Sequence, residues 1–218
     1  MKDIIDSRLL AYLAHYDGLK DLELGKFLGH GMLDKILEGT EQPFKDIQYL
    51  AVQIESKTVP LLVERVKSVL VLTLAIGDSR INPLPHVSSL INLQKLHIGY
   101  EKQVEWAGTD FLALKNLKNL RRLNISSIYP IASPTLTDTE FIPMFENMSQ
   151  LEELVFQVKC ALSTASITSL GEHCPRPTTC DLLGSYDLQC WKDIKRPIFP
   201  QLLQLKLGTA TYGEPIHL

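Results

Sequence analysis

The chain has 218 residues, of which 45% are hydrophobic, so it has enough apolar material for a continuous core. Its 22 basic and 25 acidic residues give a formal net charge of −3, and this balance argues against a nucleic-acid partner, because affinity for phosphates depends on Lys and Arg. No apolar run approaches the roughly 18 residues that a membrane-spanning helix needs, so we expect no membrane partner. The first ten residues mix acids with bases, unlike a signal peptide. These features predict an intracellular protein, in the cytoplasm or the nucleus.

A short apolar phrase recurs eight times along the chain: an apolar residue, two variable residues, a second apolar residue, one variable residue and a third apolar residue. The copies begin at residues 19, 47, 69, 93, 120, 151, 177 and 202, in steps of 28, 22, 24, 27, 31, 26 and 25 residues. A period of this size indicates a solenoid, because one repeat cannot bury its own apolar face and needs stacked neighbours. We predict a single domain over residues 1–218.

Each phrase predicts a β-strand. In the copy that begins at Leu93, side chains alternate between the two faces of the strand, so Leu96 and Ile98 point inward while Lys95 and His97 point outward. Parallel strands from successive repeats then form one sheet.

Helical segments are predicted between the strands. Residues 9–16, 111–117, 139–148 and 163–170 have helical spacing of apolar residues. Thr109 and Asp110 are predicted to cap the second segment, and Pro143 fits the third only in its first turn. Residues 126–139 are predicted to be a surface loop, because they contain two prolines. Right-handed crossovers place the helices outside the sheet, so we predict an α/β solenoid with a concave parallel sheet of about eight strands and helices on its convex side.

The phrases and their helical connections resemble the leucine-rich-repeat family over about residues 9–208. The segments SLGEHCP and MSQLEELVF are similar to the repeat region of fungal-type F-box/leucine-rich-repeat proteins. In that family an F-box recruits a cullin–RING ubiquitin ligase and the repeats hold the substrate. We identify no F-box, since residues 1–18 are too short for one. The resemblance therefore implies a substrate-recognition part, with a ligase adaptor as a partner only where an F-box lies upstream.

The outward residues of the strands form the predicted binding surface. Lys95 and Arg122 are expected side by side, where they suit an acidic or phosphorylated peptide, because Arg binds carboxylate and phosphate through two hydrogen bonds. Tyr49 adds an aromatic anchor. The predicted partner-binding residues are Tyr49, Lys95, His97, Arg122, Asn124 and Glu153. The alternative is that these are solvated residues on an exposed sheet face, needed only for solubility.

An enzymatic alternative rests on Gly77-Asp78-Ser79, which resembles the nucleophile block of GDS-type esterases. That mechanism needs an Asp-x-x-His pair, but Glu214 stands three residues before His217. A turn after the third strand is the favoured interpretation.

The four cysteines, Cys160, Cys174, Cys180 and Cys190, lack the paired spacing of zinc sites. They are predicted to be reduced and buried. We expect no metal, no cofactor and no catalytic residue. The predicted function is a non-enzymatic protein-binding module, the substrate-recognition part of an F-box-like ligase component. The alternatives are a generic scaffold or regulatory repeat protein and, more remotely, the esterase.

Overall fold

The computed structural model describes residues 7–37, 43–78, 80–129, 131–187 and 197–211 of the chain. Its α-helices are α1 (Ser7–His15), α2 (His30–Leu37), α3 (Val59–Arg65), α4 (Leu84–Val87), α5 (Asp138–Phe145) and α6 (Thr164–His173). Two 3-10 helices span Ser56–Thr58 and Gly108–Asn116. The strands are β1 (Asp21–Leu28), β2 (Tyr49–Ile54), β3 (Val71–Ile76), β4 (Lys95–Tyr100), β5 (Arg122–Ser127), β6 (Ile131–Ala132), β7 (Glu153–Leu162), β8 (Thr179–Asp187) and β9 (Gln204–Thr211).

The strands form one open sheet in the order β1-β2-β3-β4-β5-β7-β8-β9. The short β6 lies off this path, where it pairs with β7 and forms an isolated bridge with Glu105. All of these pairs are parallel. Apart from β6, strands that follow one another along the chain are neighbours in the sheet, as the repeated phrase predicts. The chain is thus an α/β protein with an open parallel sheet.

The eight phrases align with one another across the sheet. The second apolar positions pair in one line that runs through Leu22, Leu50, Leu72, Leu96, Leu123, Leu154, Cys180 and Leu205. The third positions form a parallel line through Leu24, Val52, Leu74, Ile98, Ile125, Phe156, Leu182 and Leu207. The predicted pairing of residues 93–98 with 120–125 is therefore confirmed, and Pro177 does not displace the seventh copy.

One face of this sheet packs against the helical layer and forms the core. Leu72, Leu123 and Leu154 are fully buried, as are Phe111 of the 3-10 helix and Phe141 of α5. The rings of Phe111 and Phe141 each contact Phe156 of β7, with centroids 5.4 and 5.8 Å apart. The aromatic side chains thus join the helical layer to the strands. Burial of this apolar surface is the main force that holds the repeats together.

Helices α5 and α6 are connected by a polar junction. Thr137 caps α5, and Glu140 completes a capping box by accepting the Thr137 backbone N–H at 3.0 Å. Asp138 accepts hydrogen bonds from the Ser163 backbone N–H at 2.9 Å and from the Ser163 and Ser166 hydroxyls at 2.5 Å. One carboxylate therefore connects the starts of two successive helices.

Two details of the helical predictions and one loop prediction are wrong. The segment after residue 107 is a 3-10 helix that begins at Gly108, and Ala107 holds the cap position; the Asp110 carboxylate accepts the Ala107 N–H at 2.9 Å. Thr109 and Asp110 therefore lie inside the helix. Pro143 lies beyond the first turn of α5, two residues before the helix ends at Phe145.

The third correction concerns residues 126–139, which are only partly a surface loop. Ile128 and Tyr129 are exposed, but Ile131, Ser133 and Leu136 are buried. Ile131 and Ala132 form β6, and the Ser133 N–H donates to the Lys159 carbonyl at 3.0 Å. The insertion thus contains a two-residue strand that pairs with β7. Separately, none of the helices in the described ranges is long and apolar enough to cross a membrane.

Candidate functional site

The second face of the sheet carries the residues that alternate with the core positions. We call it the uncovered face and define it by the odd-numbered residues of β2, β3, β4 and β7 and the even-numbered residues of β5, within Tyr49–Gln157. In β2 and β3, half-buried residues alternate strictly with buried ones. This alternation follows from the two-residue period of a strand. Every predicted partner-binding residue lies on the uncovered face.

The charged residues of this face lie in one row across the strands. Tyr49 pairs with Val71, Val71 with Lys95, Lys95 with Arg122, and Arg122 with Glu153. Lys95 and Arg122 are thus neighbours, as predicted. Tyr49 is two strands away from Lys95, about 10 Å at the usual strand spacing.

The basic patch expected at Lys95 and Arg122 is only partly available. The Arg122 Nε atom lies 3.4 Å from a Glu153 carboxylate oxygen, so this side chain already has an acidic neighbour. No acidic side chain among the described residues lies within ion-pairing distance of Lys95. The unpaired positive charge of the row is therefore at Lys95.

His97 and Asn124 are paired in the next row of the uncovered face. Burial lowers the pKa of His97 below its ordinary value, so the imidazole is neutral at pH 7. The Asn124 Oδ1 atom is buried and has no hydrogen-bond partner within the described part of the chain. Such an acceptor is costly to leave unpaired and marks a place where a donor from a partner is favourable.

A cavity of about 420 Å³ opens beside this pair. Ala75, Gly99 and Ser126, which pair across β3, β4 and β5, form its base. His97 and Asn124 line one side. This cavity was not predicted from the sequence, although a glycine inside a strand is a recognised signal of close approach to the backbone.

Two residues of the esterase alternative, Ser79 and His217, lie outside the described residues. Asp78 does lie after β3, where its carboxylate accepts the Ser56 backbone N–H at 2.8 Å. This contact fixes the start of the 3-10 helix in the preceding repeat. Asp78 therefore has a structural partner in the turn.

The described cysteines are buried in the core side of the molecule. Burial raises the pKa values of Cys160, Cys174 and Cys180 to about 12, so these thiols remain protonated and poor nucleophiles at neutral pH. Cys190 lies outside the described residues. Within the described ranges, no three His, Cys, Asp or Glu side chains come together in a way that would hold a metal ion.

Comparison of the chain with models of known protein families finds no match, and comparison with curated proteins finds none either.

Proposed function

We propose that the chain is a leucine-rich-repeat solenoid whose uncovered face binds a protein or peptide. The observation that supports this most is the parallel sheet of eight successive strands, with one face packed on helices and the other exposed. Strands lie about 4.8 Å apart, whereas packed helices need about 8–10 Å. A sheet with helices on one side therefore curves with its strands inside, and concave faces of this kind are the binding surfaces of repeat proteins.

The charged row suggests the chemistry of the partner. Lys95 has no acidic neighbour among the described residues, and Arg122 has remaining donors beyond its contact with Glu153. An acidic or phosphorylated segment is the ligand that complements these two cations. Tyr49 supplies an aromatic contact at the other end of the row.

The specific form of this proposal is the substrate-recognition part of an F-box-like ubiquitin-ligase component. It rests on the resemblance of the repeats. The alternative is a scaffold or regulatory repeat protein without a ligase. The two are separated by expressing the full-length gene product and testing whether it co-purifies with the adaptor subunit of a cullin–RING ligase.

Binding at the uncovered face is tested by charge reversal. The variant Lys95→Glu/Arg122→Glu and the control Lys115→Glu/Lys118→Glu, whose lysines are exposed in and just after the 3-10 helix, are each used to capture proteins from a lysate of the source cells. We expect the first variant alone to lose partners that the unchanged protein captures, because only it alters the sheet face.

Equal capture by all three proteins would contradict the proposal. Circular dichroism of each variant checks that the fold is retained, and we expect it to be, since all four residues are exposed.

A further inference from the structure

Gly99 is the last residue but one of β4, a regular central strand, where glycine is unfavourable because it gives up backbone freedom and adds no packing. The register of β4 with both neighbours is continuous, so Gly99 does not mark a bulge. The φ angle of Gly99 is outside the left-handed region, so the usual conformational reason for a glycine does not apply to it. A Cβ atom at Gly99 would meet the Ser126 carbonyl oxygen at 3.5 Å and the His97 Nε2 atom at 3.6 Å, both ordinary contacts.

Two other glycines of the chain have an evident packing reason. A Cβ at Gly108 would lie 2.4 Å from the Thr135 carbonyl oxygen, and one at Gly171 would lie 2.0 Å from an Ile198 side-chain carbon. Neither distance is possible without displacement of a neighbour. Gly99 differs from both, because the space that a side chain would take there is part of the cavity. Close approach of a ligand to the backbone is a reason that fits both the open space and the cavity there.

The shape of the cavity suits a flat apolar group. Its base is made of small residues, and Val155 and Ile128 add apolar surface at its edge. Ile128 is 78% exposed, so a ring bound in the cavity would bury apolar surface there. A planar ring can rest on Gly99 because no side chain separates it from the strand.

The charges around the cavity favour a neutral ligand over an ionic one. The acid at the edge, Glu101, accepts a hydrogen bond from the Gln53 side chain. Lys95 and Arg122 lie two residues before His97 and Asn124 on the same face. Glu153 balances the charge of Arg122, which leaves the single positive charge of Lys95 against the single negative charge of Glu101. The pocket therefore attracts neither sign of charge strongly.

Asn124 sets the polar requirement that a ligand of the cavity has to meet, namely a hydrogen-bond donor. Its Oδ1 atom has no donor in the described part of the chain, and the terminal torsion of an Asn side chain turns easily. A ligand with an O–H or N–H group at the edge of its ring gives this oxygen the donor that it lacks. An apolar ring without a donor leaves it unpaired.

We propose that this cavity is the anchor site of the uncovered face and receives a tyrosine or tryptophan side chain of the partner protein. The inference rests on the proposed function, since it assumes that the uncovered face binds a protein. The partner's aromatic ring occupies the cavity, and the charged row next to the cavity contacts the residues that flank this ring in the partner.

The test uses blocked amino acids as probes, followed by NMR on the isotopically labelled chain. N-acetyl-tyrosinamide is titrated while the amide signals of Gly99 and Ser126 are recorded. We expect saturable shifts at these signals in the millimolar range. N-acetyl-phenylalaninamide is expected to bind about fivefold to tenfold more weakly, because it has no donor for Asn124, and N-acetyl-lysinamide to bind more weakly still.

Two variants connect the shifts to the cavity. Gly99→Val fills the cavity and is expected to abolish the tyrosinamide shifts, and Gly99→Ala is expected to weaken binding severalfold. The matched control Ala51→Val adds volume to the uncovered face on β2, outside the cavity, and should bind as the unchanged protein does. Thermal unfolding of each variant checks folding, and Gly99→Ala serves if Gly99→Val is unstable.

Equal binding of the three probes, or tyrosinamide shifts that persist in Gly99→Ala and Gly99→Val, would overturn the inference. The outcome is separable from that of the proposed function. Partner capture that depends on Lys95 and Arg122 but not on Gly99 would reject the anchor site alone. Tyrosinamide binding at Gly99 without any effect of charge reversal on capture would reject the charged row and leave the cavity in place.

Discussion

The two faces of the sheet are built from alternate residues of the same strands, yet they meet different demands. In β5, Leu123 is fully buried under the helical layer, whereas its neighbour Asn124 faces the other way and keeps a buried oxygen that no described residue pairs with. The core face of β2–β7 is packed with apolar side chains, although the buried hydroxyl of Tyr100 there has no hydrogen-bond partner within the described residues. The uncovered face keeps, among those residues, an unpaired cation, an unpaired acceptor and a cavity. Stability is thus concentrated on the core face of the sheet, and the capacity for recognition on the uncovered face.

The largest expected effect is on the core face. Leu123→Ala should lower the free energy of unfolding by about 2–5 kcal/mol, because it leaves a cavity among well-packed neighbours. The control Asn124→Ala should change it by less than about 0.5 kcal/mol. Urea unfolding followed by circular dichroism measures both, and similar losses in the two variants would mean that the faces are not divided as described.

The glycines give a second contrast between packing and recognition. Gly108→Ala should destabilise the protein by about 1–3 kcal/mol, because the new Cβ overlaps the Thr135 backbone. Gly99→Ala should leave stability unchanged or raise it by up to about 1 kcal/mol, since alanine restricts the unfolded chain. The same unfolding measurements apply. A clear destabilisation by Gly99→Ala would point to a structural role for this glycine.

Polar junctions of the helical layer are expected to contribute less than the core. Partial burial acts to raise the pKa of Asp138, but hydrogen bonds from Ser163 and Ser166 outweigh it and hold the pKa below its ordinary value. The stabilisation is therefore complete above the unfolded-state pKa of about 4 and is lost as the pH falls through the lower folded-state pKa. Asp138→Asn should lower the free energy of unfolding by about 1–2 kcal/mol at pH 7.

The pH dependence provides the check on Asp138. The difference between Asp138→Asn and the unchanged protein should shrink as the pH falls below about 4. Glu146→Gln, an exposed acid-to-amide change after the same helix, is the matched control and should have little effect at any pH. A difference that stays constant down to pH 2 would contradict the assigned role of the carboxylate.

The smallest expected effect on stability is at the charged row. Arg122→Ala removes the contact with Glu153 between two partly exposed side chains, and such pairs contribute about 0–1 kcal/mol. We expect the free energy of unfolding to change by less than about 1 kcal/mol while partner capture falls. A larger loss of stability would place Arg122 among structural residues and blur the division between the faces.

The pairing of the strands was predictable because it depends on local alternation alone. Leu96 and Leu123 occupy the same place in successive phrases, and a shift of one residue would turn both to the other face. The same reasoning placed Lys95 next to Arg122. Features that depend only on the period of the repeats and on the alternation of side chains along a strand could therefore be predicted from the sequence.

Features that depend on contacts between distant segments were not predictable in the same way. The strand at Ile131 depends on pairing with β7 and on the bridge to Glu105, and the ion pair of Arg122 depends on how its side chain meets Glu153 of the neighbouring strand. The cavity at Gly99 is lined by residues of four successive repeats. Single phrases carry no sign of these arrangements, except for the glycine itself.

The most direct test of the account is the register of the central strands, since both faces follow from it. Lys95→Cys/Arg122→Cys places two thiols on paired residues, within the Cα separation of about 4.4–6.8 Å that a disulfide allows. In Lys95→Cys/Asn124→Cys the separation is about 8 Å, from strand spacing and rise, which is too far. Under mild oxidation, followed by mass spectrometry, the account predicts a disulfide in the first variant and none in the second. A disulfide in the second variant alone, or in neither, would contradict it.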